Sequence, residues 1–228
     1  MQPKINVNTK SVNHNTSARN GKIQYICIHY VGATGDAKAN VAYYSQPSVT
    51  NASADFFVGH TGEIWQYNPH PLKRYCWAVG GDRQSKYGGS FFGKAKNSNS
   101  VSIEMCVKTK GSQTANSPDW YFTKETLEAT VELTKYLMEL YNVPAERVIR
   151  HFDVTGKLCP GVVGWNSASG SEKEWQNFKD AITRNELSDA VDKLYKAGII
   201  NSPDYWKKGS GYSDANVVEL IKKISKMC

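Results

Sequence analysis

Three side chains far apart in the chain, His29, His151 and Cys159, are of the types that bind a borderline-soft divalent metal. His29 lies in the run Ile26-Cys27-Ile28-His29-Tyr30. The other two lie in Arg150-His151-Phe152-Asp153-Val154-Thr155-Gly156-Lys157-Leu158-Cys159-Pro160-Gly161. Imidazole and thiolate are ligand types that zinc prefers. Two histidines and one cysteine leave a fourth position for water, the count that separates a catalytic zinc site from a closed structural one. Lys157, two residues before Cys159, adds a fixed positive charge. The combination predicts metal-assisted hydrolysis. Singly, each of the three reads at least as well as a buried core residue. The joint pattern selects the metal reading: an early strand-end histidine, then a second one followed eight residues later by Cys-Pro-Gly. Pro160 stiffens the loop that presents the thiolate.

The elements that must position these groups follow from hydrophobic period and turn residues. Residues 22–31 form a β-branched apolar run that predicts a buried strand, closed by Gly32-Ala33-Thr34-Gly35. Asp36 to Ser45 has helical spacing, with Asp36 as N-cap or first-turn acid. Asp55–Val58 and Glu63–Tyr67, split by Gly59-His60-Thr61-Gly62, predict a hairpin; Ser100–Lys108 predicts another strand. The Gly/Ser/Lys-rich stretch from Asp82 to Ser98 reads as a loop. A helix is expected over Lys124–Tyr141, with Leu127, Val131, Thr134, Leu137, Met138 and Tyr141 on one stripe. Thr123 can cap its start and Pro144 lies beyond its end. Arg147–His151 reads as a short strand leading into the site loop, and Ser171–Thr183 as a helix with Trp175 and Phe178 on one face. His60, in the hairpin turn, is expected to be exposed, and His70 lies between two prolines; neither is expected to bind metal.

The chain has 228 residues, 40% of them hydrophobic, and a formal net charge of +7. That length suits one ordinary domain with a small appendage. The charge suits an anionic partner or simply solubility. No arginine- or lysine-rich helix with interleaved aromatics points to nucleic acid. Five cysteines at 27, 76, 106, 159 and 228 contain no C-x-x-C pair and no disulfide framework. Residues 1–21 are polar and lack the apolar core of a signal peptide, and no run is long enough to span a membrane. Synthesis in the cytoplasm without a signal peptide is therefore expected. After Arg184 the composition shifts: Leu187, Val191, Leu194 and Tyr195 predict a helix stopped by Gly198, and Asp214–Lys226 a closing helix. A unit of that size has little core of its own.

From about residue 22 to 183 the chain resembles the zinc-dependent N-acetylmuramoyl-L-alanine amidases of the phage-lysozyme and peptidoglycan-recognition-protein superfamily. Four segments carry the resemblance, in the family's order: Ile26–His29, Ala52–Gln66, Asn99–Glu104 and His151–Gly161. It implies Zn2+ as cofactor with His29, His151 and Cys159 as its ligands. It implies that Glu104 is the acid that works on the attacking water and that Lys157 stabilises the developing oxyanion. Asp153, in the same loop, could orient a ligand or cap a turn. Two departures matter. Many members carry Tyr or His after the Ala-Ser of the hairpin strand, where this chain has Ala54-Asp55. That puts the proton transfer on Glu104. Many carry Ala-Trp-His-Ala-Gly where this chain has Cys76-Trp77-Ala78-Val79-Gly80, which leaves Trp77 as the substrate-binding cleft residue.

The expected fold is α/β: a central mixed β-sheet flanked by helices, with a small C-terminal helical domain. The expected organisation is an N-terminal extension (1–21), a zinc amidase domain (22–183) and a helical wall-binding or interaction module (187–228). The resemblance implies hydrolysis, in bacterial peptidoglycan, of the amide between the lactyl group of N-acetylmuramic acid and L-alanine. A phage or prophage endolysin acting at the cell wall fits best, with a host autolysin as the alternative. Peptidoglycan and anionic wall polymers are the expected partners; nucleic acid and membrane are not, and the oligomeric state is left open. A non-catalytic recognition module of the same fold is the competing class. In this family, loss of the cysteine ligand marks such modules, and Cys159 is present.

Overall fold

A computed structural model describes residues 2–84, 89–115, 117–184, 186–208 and 211–225, in two compact units, Met1–Ile182 and Thr183–Cys228. The first unit begins with strands β1 (Ile5–Val7), β2 (Thr16–Ala18) and β3 (Tyr25–Tyr30), followed by helix α1 (Ala37–Tyr44). Strands β4 (Phe56–Val58), β5 (Ile64–Gln66), β6 (Arg74–Cys76), β7 (Ser100–Met105), β8 (Lys108–Thr109) and β9 (Trp120–Tyr121) come next. Helix α2 (Lys124–Tyr141), strand β10 (Val148–Arg150), helix α3 (His151–Thr155) and helix α4 (Lys173–Thr183) complete it. The main sheet is mixed and six-stranded, in the order β1-β5-β4-β7-β3-β10. Only the β4–β5 hairpin is antiparallel; β1–β5, β4–β7, β3–β7 and β3–β10 run parallel.

Side chains alternate across a strand, so the sheet has two different faces. Ile26 and Ile28, Ile103 and Met105, and Phe56 and Val58 turn one way and pack in a core with Leu133 and Leu137 of α2 and Phe178 and Ile182 of α4. On the other face Phe57 packs with Ala37 and Val41 of α1. Cys27 packs there with Val79, Ala95 and Val154. His29 and Glu104 are register partners, and Glu104 is also aligned with Phe57, so both project on this second face.

Helix α2 has the expected bounds, with Thr123 capping it by accepting the Thr126 N–H at 3.1 Å and Asn142 ending it in the left-handed region at φ 52°. Of the expected stripe, Thr134 and Leu137 are buried and Leu127, Val131, Met138 and Tyr141 pack partly buried against the core; Thr126, Thr130 and Leu133 are buried as well. Burial of two of these threonines is eased by local hydrogen bonds: Thr126 Oγ1 donates to the Gly59 carbonyl and Thr130 Oγ1 to the Thr126 carbonyl.

Residues 1–21, expected as an extension, are woven into the first unit. β1 extends the main sheet and β2 pairs with β6. Asn15 is fully buried; its Nδ2 faces the carbonyls of Tyr44, Val49 and Ala52, and its Oδ1 accepts from the Tyr67 hydroxyl at 2.7 Å. Arg19, also buried, donates to the carbonyls of Pro71, Ser98 and Ser100. Part of the segment's polarity satisfies buried loop backbone through Asn15 and Arg19, while Lys4, Lys10, Ser11 and Asn13 are exposed.

The second unit contains α5 (Glu186–Lys196), α6 (Pro203–Trp206) and α7 (Asp214–Ser225). Val191, Ile199 and Ile200 form its small core with Leu194, Trp206 and Leu220. Gly198, at φ 71°, turns the chain after α5. The short α6 was not expected from the sequence. The end of the closing helix at Lys226, Cys228 and part of the 82–98 loop lie outside the described residues. Among the described residues, no helix is long and apolar enough to cross a membrane.

Replacing Asn15 with alanine is expected to take the Nδ2 donor from the Val49 and Ala52 carbonyls, while the Tyr67 hydroxyl keeps the Tyr44 carbonyl. It should lower the unfolding free energy by about 1–3 kcal/mol in a urea titration. A change near zero would return residues 1–21 to the status of an appendage.

Candidate metal centre

The parallel register brings the expected site residues together. His29 stands near the C-terminal end of β3 with Glu104 beside it on β7. On the other side β10 pairs Arg150 with Ile28, so His151, one residue on, falls next to His29; the two rings are 4.9 Å apart at 64°. The chain then loops back, closed by the Phe152 N–H bonding the Cys159 carbonyl at 2.9 Å. Cys159 Sγ lies 3.6 Å from His29 Nδ1, and Glu104 Oε1 lies 4.0 Å from the same nitrogen. The ligand atoms of His29, His151 and Cys159 all lie within 4.8 Å of one another. Among the described residues this is the one such His/Cys/Asp/Glu group that could hold a metal ion.

A buried polar atom without a partner is costly, which makes the orphans here informative. His29 Nε2, His151 Nε2 and Glu104 Oε2 are all buried and lack a hydrogen-bond partner among the described residues. The Gly80 backbone carbonyl accepts a hydrogen bond from the His151 ring, and since Nε2 is unpartnered the donor is Nδ1. This is how a ligating histidine is usually oriented. The Tyr30 backbone N–H bonds Cys159 Sγ. The donor set therefore fits a zinc-type ion.

Electrostatics agree with neutral imidazoles. Burial lowers both histidines, His29 well below its ordinary value and His151 to about 4. The neighbouring His151 adds to the effect at His29, and Lys157 adds to it at both. Burial pushes the Cys159 thiol up to about 12, with Glu104 adding and Lys157 opposing, so loading a metal must drive off its proton. Glu104, 16% exposed, is raised by burial to about 8, with Lys157 pulling the other way. Lys157 itself is exposed on the loop.

The segment carrying His151 is held by Arg150, to which the sequence assigned no role, and by Asp153, which takes the expected turn-capping role. Arg150 is buried. It donates from Nε and Nη2 to the Asp153 carboxylate at 3.0 and 2.6 Å, and from Nη1 to Glu172 at 2.7 Å and to the Trp165 carbonyl at 2.6 Å. Asp153 also accepts the Arg150 N–H at 2.8 Å, so it caps α3 and faces Arg150. The clue was present: an arginine directly before a strand-end histidine, with an aspartate three residues on.

Trp77 is half-buried, its Nε1 donating to Ser17 Oγ at 3.0 Å. It lines a groove of about 420 Å³ with Tyr75, Gly80, Phe92, Asn97 and Val154. His60 is not exposed as expected. Its side chain is 13% accessible, with Nε2 at 3.0 Å from the Val107 carbonyl and Nδ1 at 3.5 Å from Asp36, because the hairpin folds back over the end of β7. His70 is exposed, and neither belongs to the cluster.

Fold and site together define a class: a mixed α/β protein with a buried His-His-Cys centre beside a carboxylate. Residues 19–162 match the family model described as N-acetylmuramoyl-L-alanine amidase, and the chain belongs to that family. It is 25% identical over 130 residues to the N-acetylmuramoyl-L-alanine amidase CwlL of Bacillus licheniformis, covering 57% of this chain and 33% of that protein. It is 26% identical over 173 residues to the amidase BlyA of Bacillus subtilis (strain 168), covering 73% of this chain and 42% of that one. The chain thus spans less than half the length of these curated relatives. Among solved structures it is similar to a mutant endolysin from Bacillus subtilis, with a TM-score of 0.56 and 26% identity over 79% of this chain and 99% of that one.

A raised carboxyl binds its proton in the native state where the unfolded chain has released it. In chelator-treated protein, the stability that Glu104 confers relative to Glu104→Gln should be fully present below about 4.5 and lost as pH rises through about 8. Urea titrations of both proteins across that window check this; a pH-independent difference would contradict it.

Proposed function

We propose that this chain is a zinc-dependent peptidoglycan hydrolase that cleaves the amide between N-acetylmuramic acid and L-alanine. The observation that carries this is the cluster of His29, His151 and Cys159 ligand atoms within 4.8 Å, with a buried, unpartnered Nε2 on each histidine and Glu104 Oε1 4.0 Å from His29 Nδ1. Neutral His29, neutral His151 and the Cys159 thiolate would hold the ion. The chemistry supplied by zinc when bound is polarisation of the amide carbonyl and acidification of a water. Glu104 takes the proton of the attacking water and returns it to the departing L-alanine amine. Lys157 stabilises the charge that develops on the amide oxygen. Trp77 offers an aromatic wall to the substrate in the adjoining groove.

The setting is that of a phage or prophage endolysin, supported by the likeness to the Bacillus subtilis endolysin. Peptidoglycan is the substrate, and the net charge of +7 favours approach to anionic wall polymers. The second unit serves as a wall-binding module. Asn201, Ser202, Tyr205, Trp206, Asn216 and Glu219 line a hollow of about 330 Å³ there, in which aromatic faces and polar groups suit a sugar ring.

Digestion of purified Gram-positive sacculi should release new L-alanine amino termini without new reducing sugars. Chelation or Cys159→Ala should abolish that release. Glu104→Gln is expected to lower kcat about 10²–10⁴-fold, and Lys157→Met about 10²–10³-fold. Activity that survives Cys159→Ala would sink the zinc reading. For the second unit, Asn201→Ala with Glu219→Ala should weaken sacculus pull-down of the full chain while leaving the rate on a soluble muropeptide unchanged. Unchanged pull-down would remove the wall-binding role.

A further inference from the structure

Between β6 and the turn at Asn97–Asn99 the chain passes the metal centre without strand partners at Trp77, Ala78 and Val79. Its N–H groups are taken up by side chains instead. Ser53 Oγ accepts from Trp77 at 3.0 Å. One oxygen, Asn97 Oδ1, accepts from both Ala78 at 3.0 Å and Val79 at 2.6 Å. Two bonds from consecutive amides to a single acceptor fix the orientation of that peptide. The next residue, Gly80, presents its carbonyl to the His151 ring. Asn97 also packs there: its Nδ2 lies 3.2 Å from where a Cβ on Gly80 would stand. Asn97 belongs to the turn leading into β7, so the strand that carries Glu104 also braces the loop that orients His151.

We propose that Asn97 is a positioning residue for the metal centre. Through Ala78, Val79 and Gly80 it holds a carbonyl on His151 Nδ1–H, which keeps Nε2 unprotonated and aimed at the ion. Asn97 touches neither metal nor substrate and acts only through this peptide. The inference rests on the zinc reading above for its metal, but the hydrogen bond it depends on is made by protein groups alone.

Two measurements on the full chain test it. The first is zinc affinity by competition with a chromogenic chelator, alongside kcat and KM. Loss of an outer-shell partner typically costs about 10–100-fold in metal affinity. Asn97→Ala should weaken zinc by that factor and lower kcat while KM stays nearly constant. Asn97→Asp, which keeps an acceptor for both amides, should restore most of the affinity. The second is the 15N spectrum of the His151 ring in chelator-treated protein, which should show the Nδ1–H tautomer in the parent and Asn97→Asp and a mixture in Asn97→Ala. Should the alanine variant fail to fold, Asn97→Ser, whose hydroxyl is too short to bridge both amides, takes its place. Parent-like zinc affinity and tautomer in the variant lacking the bridge would overturn the proposal, as would an Asn97→Asp protein as impaired as the alanine one. A parent that binds no zinc would instead overturn the metal reading, and the ring spectrum would still decide the role of Asn97.

Discussion

Burying ionisable groups on an apolar sheet is unfavourable, and this structure gathers four of them in one place. His29, His151, Cys159 and Glu104 crowd together on one face, where ordinary packing would place aliphatic side chains. Leaving three of their polar atoms without protein partners costs free energy that the rest of the fold must offset. The arrangement makes physical sense as a site whose donors could hold an ion, since metal binding can return that cost as affinity.

The two faces of the sheet divide the labour. One face carries the long aliphatic core under α2 and α4, where Ile26, Ile28, Ile103 and Met105 are wholly buried. That face supplies hydrophobic stabilisation and fixes the register, because slipping one residue would turn His29 and Glu104 into the aliphatic core. The other face is covered piecemeal by α1 and by the loop after β6. Irregular cover needs side-chain braces in place of ladder hydrogen bonds. Asn15, Arg19, Ser53 and Asn97 supply them.

Much of this was legible in the sequence where one residue type has one dominant physical preference. The β-branched run of β3, the Gly-bounded hairpin and the Thr123-capped helix follow from local rules, and their bounds differ little from those expected. The centre was legible because soft ligands at strand ends are a rare combination. What failed to show was polar and non-local. Asn15 and Arg19 fell within the polar N-terminal extension because no local signal distinguishes an amide facing water from one facing three carbonyls. Thr126 and Thr130 of α2 gave no inward signal for the same reason, since their hydrogen bonds reach Gly59 and their own helix. His60 looked exposed because its turn is flanked by glycines, yet the turn folds onto Val107.

Cys27 shows why residue type alone does not select a ligand. It projects on the same face as His29, two residues earlier in β3, and is completely buried. Burial raises its thiol well above the ordinary value, with Cys159, Asp153 and Glu104 adding to the effect. Its neighbours are Val79, Ala95, Ile149 and Val154, so it serves as a small apolar residue beneath the loop. Cys159 differs in position, not chemistry. It sits beyond the strand ends, accepts the Tyr30 N–H and faces His29. A thiol becomes a credible ligand where the backbone ends its ladder and other unpartnered lone pairs converge, and the parallel register of β3, β7 and β10 creates that place at His29.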